Sequence, residues 1–115
     1  MLIVKPNIYV LAWCLLLKIL VSASLTKISV SYNELRKEGT TILCDALRES
    51  TVSKVQELDL AGNNIGPDGA QAVAALCAVT GSLTRLDVQY NRLGEEDEAV
   101  LRKASEDRSG FELLL

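Results

Sequence analysis

The chain has 115 residues, a formal net charge of −3, three cysteines and no histidine, which suits one small domain with one modest core. Without histidine there is no imidazole to act as a general base or a zinc ligand. An acidic balance with only 4% aromatic residues argues against nucleic acid, whose recognition needs a basic patch and stacking side chains.

The first 24 residues carry two charges, Lys5 and Lys18. The stretch 8–21 is apolar apart from Lys18, and it has several readings. As a signal peptide it offers Lys5, an apolar stretch and the small-residue site Val21-Ser22-Ala23, although Lys18 and Pro6 fit that poorly. As a membrane anchor it is short, and Lys18 is expensive at depth. It also reads as a cap, the helix of a degenerate preceding repeat: Leu15 stands ten residues before Leu25, as Val73 stands ten before Leu83. The remaining reading is coding sequence assigned in error. A cytoplasmic location is expected, with secretion or anchoring through residues 8–21 as the alternative.

From residue 25 onward the chain repeats. Leu25-Thr26-Lys27-Ile28-Ser29-Val30-Ser31-Tyr32-Asn33-Glu34-Leu35 returns as Val55-Gln56-Glu57-Leu58-Asp59-Leu60-Ala61-Gly62-Asn63-Asn64-Ile65. It returns again as Leu83-Thr84-Arg85-Leu86-Asp87-Val88-Gln89-Tyr90-Asn91-Arg92-Leu93, and a fourth copy begins at Phe111. The steps are 30, 28 and 28 residues, and such a period marks a solenoid. The units are 25–54, 55–82, 83–110 and a partial 111–115, all within a repeat domain 25–115.

Within each copy, alternation of period two predicts a short strand. Ile28 and Val30, Leu58 and Leu60, Leu86 and Val88 face inward. Lys27, Ser29 and Ser31, Glu57, Asp59 and Ala61, Arg85, Asp87 and Gln89 are expected on the other face. A helix between successive strands makes their pairing parallel. Asn33, Asn63 and Asn91 follow the strands where the chain turns, and a primary amide there both donates to and accepts from turn backbone.

A helix follows each turn. Pro67 suits a first helical turn, and Val73, Leu76 and Cys77 recur at helical spacing. Ile42, Leu43, Ala46 and Leu47 play that part in the first repeat, Val100, Leu101 and Ala104 in the third. Glu95, Glu96, Asp97 and Glu98 crowd one helix start while Arg102, Lys103 and Arg108 lie toward its end, complementing the helix dipole. The acidic run lacks the ligand spacing and glycine of a calcium loop. Cys44 and Cys77 fall on apolar helix positions and are expected to be reduced and buried. Cys14 stands far from both, and no C-x-x-C pair offers a metal or redox site.

The unit Leu-x-x-Leu-x-Leu-x-x-Asn-x-Leu-Gly-x-x-Gly-Ala resembles the ribonuclease-inhibitor-like class of leucine-rich repeats, over about residues 25–115. That resemblance implies an α/β fold, a right-handed solenoid arc with parallel strands on the concave face and helices on the convex one. It also implies cytosolic protein binding. Two departures stand out: Arg36 replaces the first glycine in repeat one, and Asp97 replaces the second in repeat three. The fourth copy runs only five residues with no polar cap, so a fragment of a longer array is expected, or edge-to-edge self-association through the open end.

The expected function is to bind a protein partner across the concave strands, with no catalysis and no cofactor. Parallel strands about 4.8 Å apart stack equivalent positions into columns. One column is Lys27, Glu57 and Arg85, whose alternating signs could satisfy one another. A second is Ser29, Asp59 and Asp87, whose adjacent carboxylates repel unless a cation or basic partner intervenes. A third presents Tyr32 and Tyr90 on either side of Gly62, beside Gln89, and tyrosine is a common interface anchor. The alternatives are regulation of an enzyme, such as activation of a small GTPase, and a fragment without independent activity.

Overall fold

A computed structural model describes residues 2–3, 26–49 and 55–115. Among these residues five short strands form one parallel sheet in chain order: β1 (Leu2–Ile3), β2 (Lys27–Ser29), β3 (Glu57–Asp59), β4 (Arg85–Asp87) and β5 (Glu112–Leu114). Among the described residues three helices alternate with β2 to β5: α1 (Arg36–Glu49), α2 (Gly66–Val79) and α3 (Glu95–Ser105). Each helix packs on the next, α1 on α2 and α2 on α3. This is the parallel β/α repeat arrangement that the sequence period predicts.

The register follows the repeat. Ile28 pairs with Leu58, Leu58 with Leu86, and Leu86 with Leu113. The inward positions Ile28, Val30, Leu58, Leu60, Leu86 and Val88 are buried. They meet Leu43 and Leu47 of α1, Val73 and Leu76 of α2, and Leu101 of α3 in one core cluster. Burying a residue such as Leu58 completely contributes about 1.5–3 kcal/mol, so the hydrophobic ladder is what drives one repeat onto the next. Cys44 and Cys77 are free thiols in that core. Desolvation raises both thiol pKa values, that of Cys77 to about 11 against a partial offset from Arg108.

Sheet-like pairing continues past the strand ends. The Val30 N–H donates to the Asp59 carbonyl at 3.0 Å, and the Tyr32 N–H to that of Ala61 at 2.9 Å. The Leu60 and Gly62 N–H groups repeat this one unit on, toward Asp87 and Gln89. The turns themselves are therefore stacked in register.

Buried asparagines lock those turns. The Asn63 side-chain amide donates to the carbonyls of Val30, Leu60 and Ala61 at 2.9–3.2 Å. Its Oδ1 accepts the Asn33 N–H at 2.8 Å. Asn91 does the same one unit later, donating to Leu60, Val88 and Gln89 and accepting the Asn63 N–H at 2.7 Å. Each buried amide satisfies backbone groups of its own turn and of the preceding one, groups that no strand or helix serves.

Left-handed residues recur through the turns: Tyr32, Glu34 and Arg36 in the first, Gly62, Asn64 and Gly66 in the second, Tyr90 and Arg92 in the third. Arg36 adopts φ 57° where the second repeat has glycine at φ 66°. The third repeat departs at that point, because Gly94 is extended at φ −81°. There the helix start is held by Asp97, whose Oδ2 accepts the Gly94 N–H at 3.2 Å.

Two expectations need correction or enlargement. Ser31 and Ala61 do not share the solvent-facing side with Ser29 and Asp59; both are buried. The strands end at Ser29 and Asp59, and the chain has begun to turn before the alternation can continue. The strand at Leu2–Ile3, paired in parallel with β2, was not anticipated. The apolar stretch 8–21, with its cap, signal and anchor readings, lies outside the described residues, as does Cys14. Among the described residues no helix is long and apolar enough to cross a membrane.

Candidate functional site

The sheet face opposite the helices is built from the outward positions of β2, β3 and β4, and the register fixes which side chains are neighbours. Lys27 lies beside Glu57, and Glu57 beside Arg85. The Lys27 ammonium meets the Glu57 carboxylate at 3.5 Å. Arg85 instead turns forward, its Nε 3.3 Å from the Glu112 carboxylate on β5. The first column therefore satisfies itself in two pairs. Exposed pairs of this kind contribute little stability; what they fix is the direction in which the long side chains lie.

The second column is Ser29, Asp59 and Asp87, in register. The two carboxylates, expected to repel unless a cation or basic partner intervenes, are each held by a local arrangement. Asp59 Oδ1 accepts the Ala61 N–H at 3.0 Å and its Oδ2 accepts the Ser29 hydroxyl at 3.2 Å. Asp87 Oδ1 accepts the Gln89 N–H at 3.0 Å. Each aspartate thus closes a small loop on the backbone two residues ahead, a local bond for which short acidic side chains are suited. Hydrogen bonds stabilise each carboxylate without cancelling its charge. Neither aspartate takes part in an ion pair among the described residues, where Lys27, Lys37, Arg48, Arg85 and Arg102 are paired with other acids. A shallow cavity of about 160 Å³ opens on this face, lined by Lys27, Ser29, Glu57, Asp59 and Arg85.

The third column lies on the stacked turns. Tyr32 and Tyr90 are 61% and 75% exposed, unusual for side chains of that size. Both sit in left-handed backbone, at φ 58° and 59°, a conformation that L-residues adopt at an energetic penalty. Gly62 stands between them. A Cβ there would collide with the Tyr32 ring, so the missing side chain makes room for the ring. Gln89 is half-buried next to Tyr90.

A residue that sequence reasoning placed only as a helix-dipole partner proves to join two repeats. Arg108 donates to the carbonyls of Cys77 at 2.6 Å and Leu83 at 2.7 Å, and its guanidinium lies 4.9 Å from the centre of the Phe111 ring. Helix α2 has no basic residue in its last turn, and the following repeat supplies one. Arg108 and Phe111 line a larger hollow of about 650 Å³ at the C-terminal ends of α2 and α3, with Lys103, Leu83 and Thr80.

Known proteins carry the same pattern. A model of the family described as "Leucine Rich repeat" matches residues 53–74. The chain is similar to RAN GTPase-activating protein 2 of Arabidopsis thaliana, 38% identical over 66 residues, covering 57% of this chain and 12% of that protein. It is also similar to the human NACHT, LRR and PYD domains-containing protein 12, 32% identical over 75 residues, covering 65% of this chain and 7% of that protein. The chain spans about a tenth of the length of these relatives.

Proposed function

Because the chain is a leucine-rich repeat protein, we propose that it binds a protein partner on the sheet face opposite its helices. The partner contacts Lys27, Ser29, Glu57, Asp59, Arg85 and Asp87 on the strands, and Tyr32, Gln89 and Tyr90 at their exits. The observation that carries this reading is the pair Asp59 and Asp87. Their carboxylates are preorganised side by side by backbone hydrogen bonds, and neither charge is neutralised by a cation among the described residues. A basic group from a partner gains from both at once. The preorganisation reduces the ordering cost of binding.

The test follows from how these carboxylates are held. Replacing both by asparagine (Asp59→Asn with Asp87→Asn) keeps an oxygen to accept the Ala61 and Gln89 amides and removes the charge; at position 59 the new amide NH2 faces the Ser29 hydroxyl as donor in place of the carboxylate oxygen that accepted it. Capture of the wild-type partner is expected to fall at least tenfold while the circular dichroism spectrum and melting temperature stay the same. Undiminished capture by a folded double variant would exclude this face.

A second reading rests on the similarity to RAN GTPase-activating protein 2: the chain regulates a GTPase. It predicts faster GTP hydrolysis by a small GTPase on adding the chain. No acceleration at saturating concentration sinks it.

A further inference from the structure

Helix α3 ends in a charge pattern that the strand face does not use. Arg102-Lys103-Ala104-Ser105 closes the helix, and Ser105 is its last residue. Of all the serines and threonines in the chain, Ser105 alone has basic residues both two and three places before it. The basic pair also suits a helix C-terminus electrostatically, but that role needs no hydroxyl behind it. A hydroxyl preceded by two cations is what a serine kinase with an acidic substrate groove selects, by charge complementarity.

The local structure makes that hydroxyl reachable. Arg102, Lys103, Glu106 and Asp107 are exposed, and Ser105 is half-buried. Its hydroxyl donates within its own helix, shared between the carbonyls of Leu101 at 3.1 Å and Arg102 at 3.2 Å. The bond that closes the helix, from the Glu106 N–H to the Lys103 carbonyl, is long at 3.4 Å. An exposed helix end held in this way opens at low free energy, and the hydroxyl bonds lost on opening all lie within α3.

The neighbours of Ser105 decide what a phosphate does there. The Ser105 carbonyl accepts the Arg108 N–H at 3.1 Å, so the two residues share one turn. Arg108 tethers that turn to the preceding repeat through the Cys77 and Leu83 carbonyls. Neutral carbonyls compete poorly with a phosphate dianion for a guanidinium. The helix dipole and the adjoining Glu106 and Asp107 also oppose added negative charge at this end.

We infer that Ser105 is a phosphorylation site for a serine kinase that reads the basic pair Arg102 and Lys103, and that its phosphate draws Arg108 away from the preceding repeat. In the reaction the Ser105 Oγ bonds to the γ-phosphorus of ATP and the bond from that phosphorus to the ADP oxygen breaks. The hydroxyl proton passes to the catalytic aspartate of the kinase.

The full chain is incubated with magnesium ATP and the catalytic subunit of cyclic-AMP-dependent protein kinase, whose substrate groove is acidic, and the product is mapped by mass spectrometry. A single phosphate at Ser105 is expected, absent from Ser105→Ala. Arg102→Ala with Lys103→Ala is expected to lower kcat/KM about tenfold, although losing those cations makes the helix end easier to open. No phosphate at position 105, or an undiminished rate in the double variant, overturns the site. The phosphorylated chain is expected to melt at a lower temperature than the unmodified one. That fall should be smaller in Arg108→Gln, which keeps an amide donor for a carbonyl and has no charge for the phosphate to attract. An unchanged melting temperature, or an equal fall in Arg108→Gln, overturns the release of Arg108.

Discussion

At the scale of single residues, backbone conformation explains more than side-chain identity does. Arg36 is held at φ 57° where the next repeat uses glycine at φ 66°, and a left-handed L-residue is disfavoured by roughly 1–2 kcal/mol. Arg36→Gly is therefore expected to raise stability by about 1 kcal/mol, after the entropy of the added glycine is counted, as measured by urea unfolding. Sequence comparison between repeats exposed that departure, because the glycine of one copy is missing from another. The burial of Ser31 and Ala61 was not legible in the same way. Alternation alone assigned them to the outer face, and nothing in their identity announces where a strand gives way to a turn.

The thiol of Cys77 gives a pH dependence whose sign can be worked out. Its folded pKa is raised by burial to about 11 from an ordinary value of 9.0. The folded state thus keeps a proton that the unfolded state gives up. The associated stability is complete below pH 9 and is lost as pH rises from there through about 11. Urea unfolding between pH 8 and pH 11 is expected to show a steeper fall in stability for the wild type than for Cys77→Ala, whose lower overall stability does not affect the comparison of slopes. Equal slopes would contradict the assignment.

At the scale of elements, each repeat is completed by its neighbour. Asn63 serves carbonyls of its own turn and of the one before, and its Oδ1 is occupied by the Asn33 amide. The fixed asparagine of the sequence pattern announced that role. The cross-repeat role of Arg108 was hidden, because its acceptors Cys77 and Leu83 are backbone carbonyls 31 and 25 residues away and leave no trace in side-chain pattern. A charged donor on two partly buried carbonyls is worth more than a neutral one. Arg108→Ala is expected to lower stability by about 1.5–3 kcal/mol, and Arg108→Lys to recover only part of it, since a compact ammonium lacks the planar fork whose two nitrogens each serve one carbonyl. Loss below 0.5 kcal/mol in Arg108→Ala would show that the contact does not hold the repeats together.

At the scale of the whole molecule, the repeat period made the fold legible: it set the strands, their parallel order and the register that brings Asp59 beside Asp87 and aligns Tyr32 with Tyr90. The strand at Leu2–Ile3 was overlooked although a signal was there. Leu2, Val4 and Asn7 stand at the same intervals in the sequence as Leu58, Leu60 and Asn63, obscured by the apolar run that follows. Within the candidate site, charge and aromatic positions could be read from the repeats. The turning of Arg85 toward Glu112 and the capture of both aspartates by backbone amides could not, because side-chain direction depends on competing partners only a few ångströms apart.

The central claim is that partners meet the strand face and not the helices. It is tested most directly by placing a photo-activated crosslinking residue at Gln89, next to the exposed Tyr90, and separately at Gln71, exposed on α2. Partner crosslinks at position 89 and none at position 71 are predicted. Crosslinks confined to position 71 would contradict the account.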